Sequence, residues 1–385
     1  MEQSLMNSTP NINLKIVRIS SKRELKTFIM LPFRIHKNHK KWVPPLISDE
    51  WKFFDVKKNP TFQRNDTILY LTYLDNRPAG RIMGIINRQR NSRLNERNAY
   101  FGYLECSDDQ DVARVLLQQI ENWAVEMGMD QVIGPMGFND QDQKGFVIEG
   151  FEYEPSTQTI YNFEYMPALV ENSGYSKETD YVVYQIDLKK SIPEVYKKIV
   201  DRLYARGTFY LPDFTKKREL KPWIKPALQL MNETFAELFG YDPLTDEEML
   251  ILSRKFLPVI DPRFVKIAVM NNTLEAFILG IPNLNDGLRK ARGKLFPFGW
   301  FYLMKAFRQA KQFDLLIAGV RPEYRGAGLD VYGMLRVIEE AIRAGFTVLD
   351  SHHEHEDNLR VRHVMEKWGG KVCKRFRVYR KELRV

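Results

Sequence analysis

Cysteine is nearly missing from this sequence: Cys106 and Cys373 are the only two in 385 residues. That excludes a disulfide framework, and it excludes a zinc site made of cysteine alone. Long apolar runs are missing as well. A membrane-spanning helix needs about 18 or more consecutive apolar residues, and the greasiest stretch here is the short run 315–320. The N-terminal MEQSLMNSTPNINLK has no apolar h-region and no small-residue cleavage site. The expectation is a cytoplasmic protein that is not secreted. Basic clusters do not alternate with aromatics as they would along a single-strand groove, and no nucleic-acid partner is expected.

What is present fits a folded soluble chain, with 44% hydrophobic and 28% charged residues. The length exceeds one ordinary core and implies two domains. Lys and Arg number 58 against 49 Asp and Glu, a net charge of +9. Such an excess suits nucleic acid, an anionic membrane face or a phosphate-rich cofactor. The basic clusters at 37–41, 216–221, 289–294 and 371–384 are scattered between apolar segments, as on a solvated surface.

Along the chain, the first 60 or so residues read as a preamble broken by Trp42-Val43-Pro44-Pro45. Strands follow at 68–74, 79–87 and 99–104, the first two joined by a turn at 75–78. Val112, Leu116, Ile120, Trp123 and Met127 form one helical stripe, Gly128 stops it, and 131–133 opens another strand. The later part repeats this order without repeating the residues. Strands at 264–269 and 274–281 flank the turn MNNT, and a helical stretch lies around 300–309. A strand over 314–320, a Gly-rich turn and a helix with Val331, Leu335, Ile338 and Ile342 on one stripe come next. A strand at 346–349, a helix over 357–368 and a strand at 372–379 end the pattern. The expected fold class is therefore α/β (α+β), two mixed-sheet halves in tandem, with a helical segment from about 181 to 257 between them.

The most informative stretch is Val320-Arg321-Pro322-Glu323-Tyr324-Arg325-Gly326-Ala327-Gly328-Leu329, which leads from a strand into a helix. Glycines let a backbone approach a phosphate, and the first amides of a helix point at it. Arg321 and Arg325 add charge. The chemistry is that of an anion site at a strand-to-helix junction.

This run resembles the acyl-CoA pyrophosphate loop of the GNAT acyltransferase superfamily, and the elements around it come in that order. The resemblance implies cofactor contacts from Val320, Arg321, Arg325, Gly326, Ala327 and Gly328. It implies one more from Asn358, which opens the later helix and is similar to an asparagine near the pantetheine arm. Asp330 departs from the superfamily pattern, which usually has Gly or Ala there. Trp42-Val43-Pro44-Pro45, Gly80-Arg81-Ile82, Phe101-Gly102, Gly134-Pro135-Met136, Glu149-Gly150-Phe151 and Gly369-Gly370-Lys371 resemble bacterial tandem GNAT-like proteins of mostly unassigned function. In the first half Glu105-Cys106-Ser107-Asp108-Asp109 takes the place of the phosphate loop. Carboxylates cannot cradle a pyrophosphate, so that half reads as a degenerate copy. The implied division is 1–185, a GNAT-like half; 186–257, a helical linker or cover; and 258–385, the half with the acyl-CoA loop.

GNAT chemistry needs a neutral amine and a proton donor for the leaving thiolate. His353 and Glu354 follow the 346–349 strand and are the expected proton acceptors, with Tyr379 the expected acid. His353 and His355 share a face in an extended segment, yet no third ligand has helical spacing to them, so no metal is expected. Asn139, Tyr161, Asn162, Tyr165, Asn283 and Asn285 lie in polar, aromatic-rich loops and are the expected acceptor pocket. The functional expectation is an N-acyltransferase that uses acyl-CoA, acetyl-CoA or a carrier-protein thioester. Its acceptor would be a small-molecule or lipid amine, with room for peripheral contact at the inner membrane face. The alternative is a non-catalytic acyl-CoA-binding or structural protein.

Overall fold

The computed structural model of the chain describes residues 13–139 and 142–383. Most of the N-terminal stretch read above for secretion falls outside them. Strands β1 (Leu14–Arg18), β2 (Asp66–Leu74), β3 (Arg77–Ile86), β4 (Asn98–Cys106), β5 (Gln131–Gly134), β6 (Phe146–Glu149) and β7 (Ser176–Asp187) come first. They are followed by β8 (Val265–Met270), β9 (Thr273–Pro282), β10 (Gln312–Val320), β11 (Val348–Asp350), β12 (Glu354–His355) and β13 (Lys371–Glu382). The hairpins β2–β3 and β8–β9 turn in the same way. Asp75 and Asn76 have φ of 48° and 63°, and Asn271 and Asn272 have 48° and 62°. A two-residue hairpin turn needs two left-handed residues in succession, a conformation that Asn and Asp tolerate.

All of these strands join one sheet, in the order β1-β2-β3-β4-β5-β13-β7-β11-β10-β9-β8, with β12 on β7 and β6 on β13. The order records an exchange. The last strand of the first half, β7, lies beside β11 of the second, and the last strand of the second, β13, lies beside β5 of the first. The two long strands then pair with each other down the middle. The segments 1–185, 186–257 and 258–385 therefore describe chain order and not separate sheets.

Two elements differ from the sequence expectation. The preamble is structured: β1 pairs with β2, and the helix Lys22–Ile35 starts at a Ser21–Glu24 capping box. Phe28, Ile29 and Leu31 on that helix are buried against the sheet. Residues 181–187, read as part of the linking segment, belong to the central strand β7. Helices Glu194–Arg206, Lys217–Phe235 and Asp246–Phe256 make up the rest of that segment. Asp242 ties it to the first half through ion pairs with Arg90 and Arg93.

Corresponding helices pack on the sheet in the two halves. Gln110–Glu126 buries Val112, Leu116, Leu117 and Ile120, worth about 1.5–3 kcal/mol for each large side chain. Leu329–Arg343 does the same with Leu329, Tyr332, Leu335, Val337 and Ile338. Its buried face is rotated from the expected stripe, and Ile342 is exposed.

Candidate functional site

The parallel pair β10–β11 opens after three residues. Gln312, Phe313 and Asp314 face Val348, Leu349 and Asp350, and no pairing follows. Strand β10 continues along β9 to Val320, with a register shift between Leu315 and Ile317. Its free edge lines a gap, and Ala318 is exposed in mid-strand. The β4–β5 pair opens in the same way after Tyr100, but the chain itself fills that gap. The amide of Met136 donates to Phe101 O at 2.8 Å, and the Tyr165 hydroxyl donates to Cys106 O at 2.8 Å.

The two helix starts beyond these gaps differ in one chemical respect. In the first half, Asp109 accepts from the amides of Asp111 and Val112 at 2.9 and 3.1 Å. Its own carboxylate thus occupies the anion position. In the second half the N-cap is Gly328, at φ 92° and with no side chain to offer. Among the described residues, the amides of Gly326, Gly328, Leu329, Asp330 and Val331 have no acceptor. A Cβ built on Gly326, at φ 83°, meets nothing within 4 Å. The place is open, lined with N–H donors, and at the positive end of a helix.

Not every residue expected to hold the cofactor faces this place. Arg321 is a strut: it donates to Glu275 and Glu233 at 2.6 Å each. The turn Pro322–Tyr324 consumes the amides of Arg325 and Ala327, which donate to Pro322 O and Tyr324 O. Arg325 is exposed, pairs with no carboxylate among the described residues, and reaches back to Val320 O at 3.3 Å. Asp330 stands in the first turn of the helix, where the helix dipole favours its charge and where it competes with a bound anion. Asn358 caps Leu359–Lys367 by accepting from Val361 N at 3.4 Å.

At the root of the gap lies a buried polar cluster that sequence reading missed. Asp314, Asp350 and Lys374 are at most 1% exposed. Lys374 Nζ donates to Asp350 and to Glu154 O at 2.7 Å each. Asp314 accepts from the Thr157 amide and hydroxyl and from Asn283, and Ser156 donates to Asp350. Burial, with Asp350 next to it, pushes the Asp314 carboxyl up to about 6. The cluster clamps residues 154–157 of the first half onto the end of the β10–β11 pair. Its only sequence signal is an aspartate inside each of two apolar strands.

A comparison with known proteins can now be made. No protein-family model matches the chain. The bacterial ceramide synthase of Caulobacter vibrioides is 26% identical over 380 residues, covering 97% of this chain and 98% of the relative. A tandem GNAT protein from the clavulanic acid biosynthesis pathway superposes with a TM-score of 0.54 at 11% identity, over 97% of this chain and 99% of that one. A GCN5-related N-acetyltransferase from Sphaerobacter thermophilus gives 0.52 at 14% identity, over 97% and 96%. The chain has the tandem GNAT fold. Within it, the open gap and open helix start belong to the second half, and the filled gap and capped helix start belong to the first.

The tandem GNAT fold separates residues that the sequence grouped. Tyr379 is not near the second gap. Strand exchange carries it to β5, its ring is fully buried in the first-half core, and its hydroxyl donates to Glu171 at 3.1 Å. Burial, reinforced by Glu171, raises its pKa. His353 follows β11 and packs on Phe376 and Tyr181. Its Nε2 is buried without a partner among the described residues, and burial holds the ring well below the usual imidazole range. Glu354 pairs with Val182 in the short β12. His355 donates to Thr179 through Nε2 and accepts from the Asp357 amide. Among the described residues no three His, Cys, Asp or Glu side chains are arranged to hold a metal.

The expected acceptor pocket also divides. Asn283 and Asn285 donate to Pro155 O beside Asp314. Asn139 binds the backbone of Asp242, Asn162 clamps Val147, and Tyr161 donates to Phe151 O. Tyr161 and Tyr165 instead border a second unforeseen cluster. His36 is stacked between Trp42 and Phe163 at 4.8 and 4.9 Å. Its Nε2 donates to Glu105 at 2.9 Å, and its Nδ1 lies 2.9 Å from His39 Nδ1. A carboxylate only accepts, so a neutral His36 presents Nδ1 as an acceptor, and His39 is left with a free lone pair on Nε2. Burial, and after it repulsion from His36 whenever that ring is protonated, lower His39 to about 4. Burial alone would raise Glu105, but Arg81 and His36 outweigh it and bring the carboxyl to about 2.

Proposed function

We propose that the protein transfers an acyl group from a coenzyme A thioester to an amine, and that the second half holds the coenzyme. One observation carries this reading: unpartnered amides at the start of Leu329–Arg343 stand where the free edge of β10 ends. The amides of Gly326, Gly328 and the first helical turn would hold the pyrophosphate, and Arg325 would add charge. Arg321 fixes the loop from behind, Val320 ends the strand that leads into it, and Asn358 would contact the pantetheine arm. His353 is the proton acceptor we assign, because its Nε2 is uncommitted; burial lowers its basicity, so the bound acceptor must offset that cost. Glu354 and residues 283–285 would sit nearby, while residues 1–185 supply the wall and 186–257 the cover. Ceramide is an N-acylated long-chain amine, so the name of the Caulobacter relative supports a lipid-like amine as acceptor.

Acetyl-CoA and longer acyl-CoAs titrated onto the intact chain test the reading. One site per chain is expected. Arg325→Ala should weaken it by about 10- to 100-fold, from about 1.5–3 kcal/mol for a hydrogen bond to a charged group. No binding, or two equivalent sites, overturns the assignment. Free thiol released with a long-chain amine supports turnover. Binding without thiol release across an amine panel favours a non-catalytic acyl-CoA-binding protein.

A further inference from the structure

Large apolar side chains are concentrated on one projecting hairpin of helices. Asn285–Ala291 and Gly299–Gln309 pack on each other: a Cβ on Gly287 would lie within 3 Å of Tyr302 O and Ala306 Cβ. The opposite side is bare. Phe296 is 79% exposed, Phe298 68%, Phe301 51%, Trp300 47% and Met304 45%. Scattered single exposed apolar residues are ordinary, but a contiguous group of this size marks a contact surface.

The charge around it has one sign. Residues 285–311 contain seven Lys and Arg and one acid, Asp286. Asp286 is taken by Arg289. Lys290, Arg292, Lys294, Lys305, Arg308 and Lys311 are all exposed, and none has an ion-pair partner among the described residues. The basic segment 37–41 adjoins it, since Arg289 donates to Lys41 O and the Ile47 amide donates to Gly293 O. A second copy of this face would bring like charges together. A neutral or basic protein partner would leave the cations without counter-charge.

We propose that this hairpin docks on the surface of a lipid bilayer containing anionic lipids. Phenylalanine, tryptophan and methionine would enter the headgroup–acyl boundary while the basic collar meets the headgroup phosphates. The helix Gly299–Gln309 has 11 residues, and no helix among the described residues is long and apolar enough to cross a membrane. The contact therefore lies in the interface plane. It would bring the aromatic pocket around His36 and Trp42 close to the lipid, because Gly293 packs on Phe33 of the same helix-and-loop segment.

The test uses the full chain and needs neither acyl-CoA nor an acceptor, so its outcome is separate from that of acyl transfer. Sedimentation is measured with vesicles of phosphatidylcholine alone and of phosphatidylcholine with phosphatidylglycerol. Binding to the anionic vesicles, weakened by salt, is expected. A Phe296→Ser, Phe298→Ser double variant should lose more than about tenfold in partitioning. These positions are so exposed that its circular dichroism should match the parent, and Lys290→Glu with Lys294→Glu offers a second variant that leaves the aromatics in place. It should lose binding to the anionic vesicles as well. No partitioning of the parent, or partitioning that both variants retain, overturns the proposal. So does a dimer in light scattering that the serine variant dissolves, which would make a second copy the occupant.

Discussion

Replacing Lys374 with methionine removes a buried cation that faces two buried carboxylates. Lys374 and Asp350 have fully buried side chains 2.7 Å apart, and Asp314 is the direct strand partner of Asp350. Methionine fills a similar volume, so packing loss is small and the cost is electrostatic. Breaking a buried ion pair from one side costs about 3–5 kcal/mol, because the other charge is left uncompensated. Urea unfolding of the intact chain, followed by tryptophan fluorescence and by circular dichroism, should show a loss in that range at neutral pH. The double variant Lys374→Met, Asp350→Asn should cost clearly less than its two single changes added together. The pH dependence has a definite sign. The Asp314 carboxyl is raised in the folded protein, to about 6. Its contribution is therefore fully present below its unfolded value near 4 and is lost as pH rises through about 6. Removing the lysine raises that carboxyl further, so the variant should regain stability on acidification from pH 7 more steeply than the parent. A single-variant loss below about 1 kcal/mol, or strict additivity in the cycle, would refute a charge clamp. The cluster would then be polar packing only.

Gly326→Ala should cost about 1–2 kcal/mol in urea unfolding, since φ is 83° and L-residues resist that region; it should also weaken coenzyme A binding, and unchanged affinity would mean that no phosphate approaches there. Tyr379→Phe should leave thiol release unchanged and cost about 0.5–1.5 kcal/mol for the lost bond to Glu171. A collapse of turnover in the folded variant would restore the tyrosine as the acid. Glu105 is held near 2, so its stabilisation is present above its ordinary value near 4.5 and lost as pH falls towards 2. Glu105→Gln should flatten that acid limb in a pH series of urea midpoints, and an unaltered limb would count against the His36–Glu105–Arg81 arrangement.

Much of the local structure is written in short-range patterns. Asp75-Asn76 and Asn271-Asn272 mark two hairpins because few other residues adopt two left-handed conformations in a row. The 3.6-residue stripe from Val112 to Trp123 requires a helix with one buried face. The glycines and arginines at 320–328, ahead of a helix start, have the composition expected of an anion site, because glycine lets a backbone approach closely and a helix start presents amides. What local pattern cannot carry is partner choice. Nothing in 176–187 or 371–382 says that each long strand will complete the other half's sheet. That pairing depends on the edges left by the short β5 and β11. Tyr379 follows its strand into the wrong half for the role expected of it. Arg321, indistinguishable in sequence from Arg325, becomes a strut because Glu233 and Glu275 arrive from remote elements. Asp314, Asp350 and Lys374, and likewise His36 and Glu105, meet across 24 to 69 residues of chain. Charges can be buried only where folding brings their partners to them, so these clusters exist only in the tertiary structure.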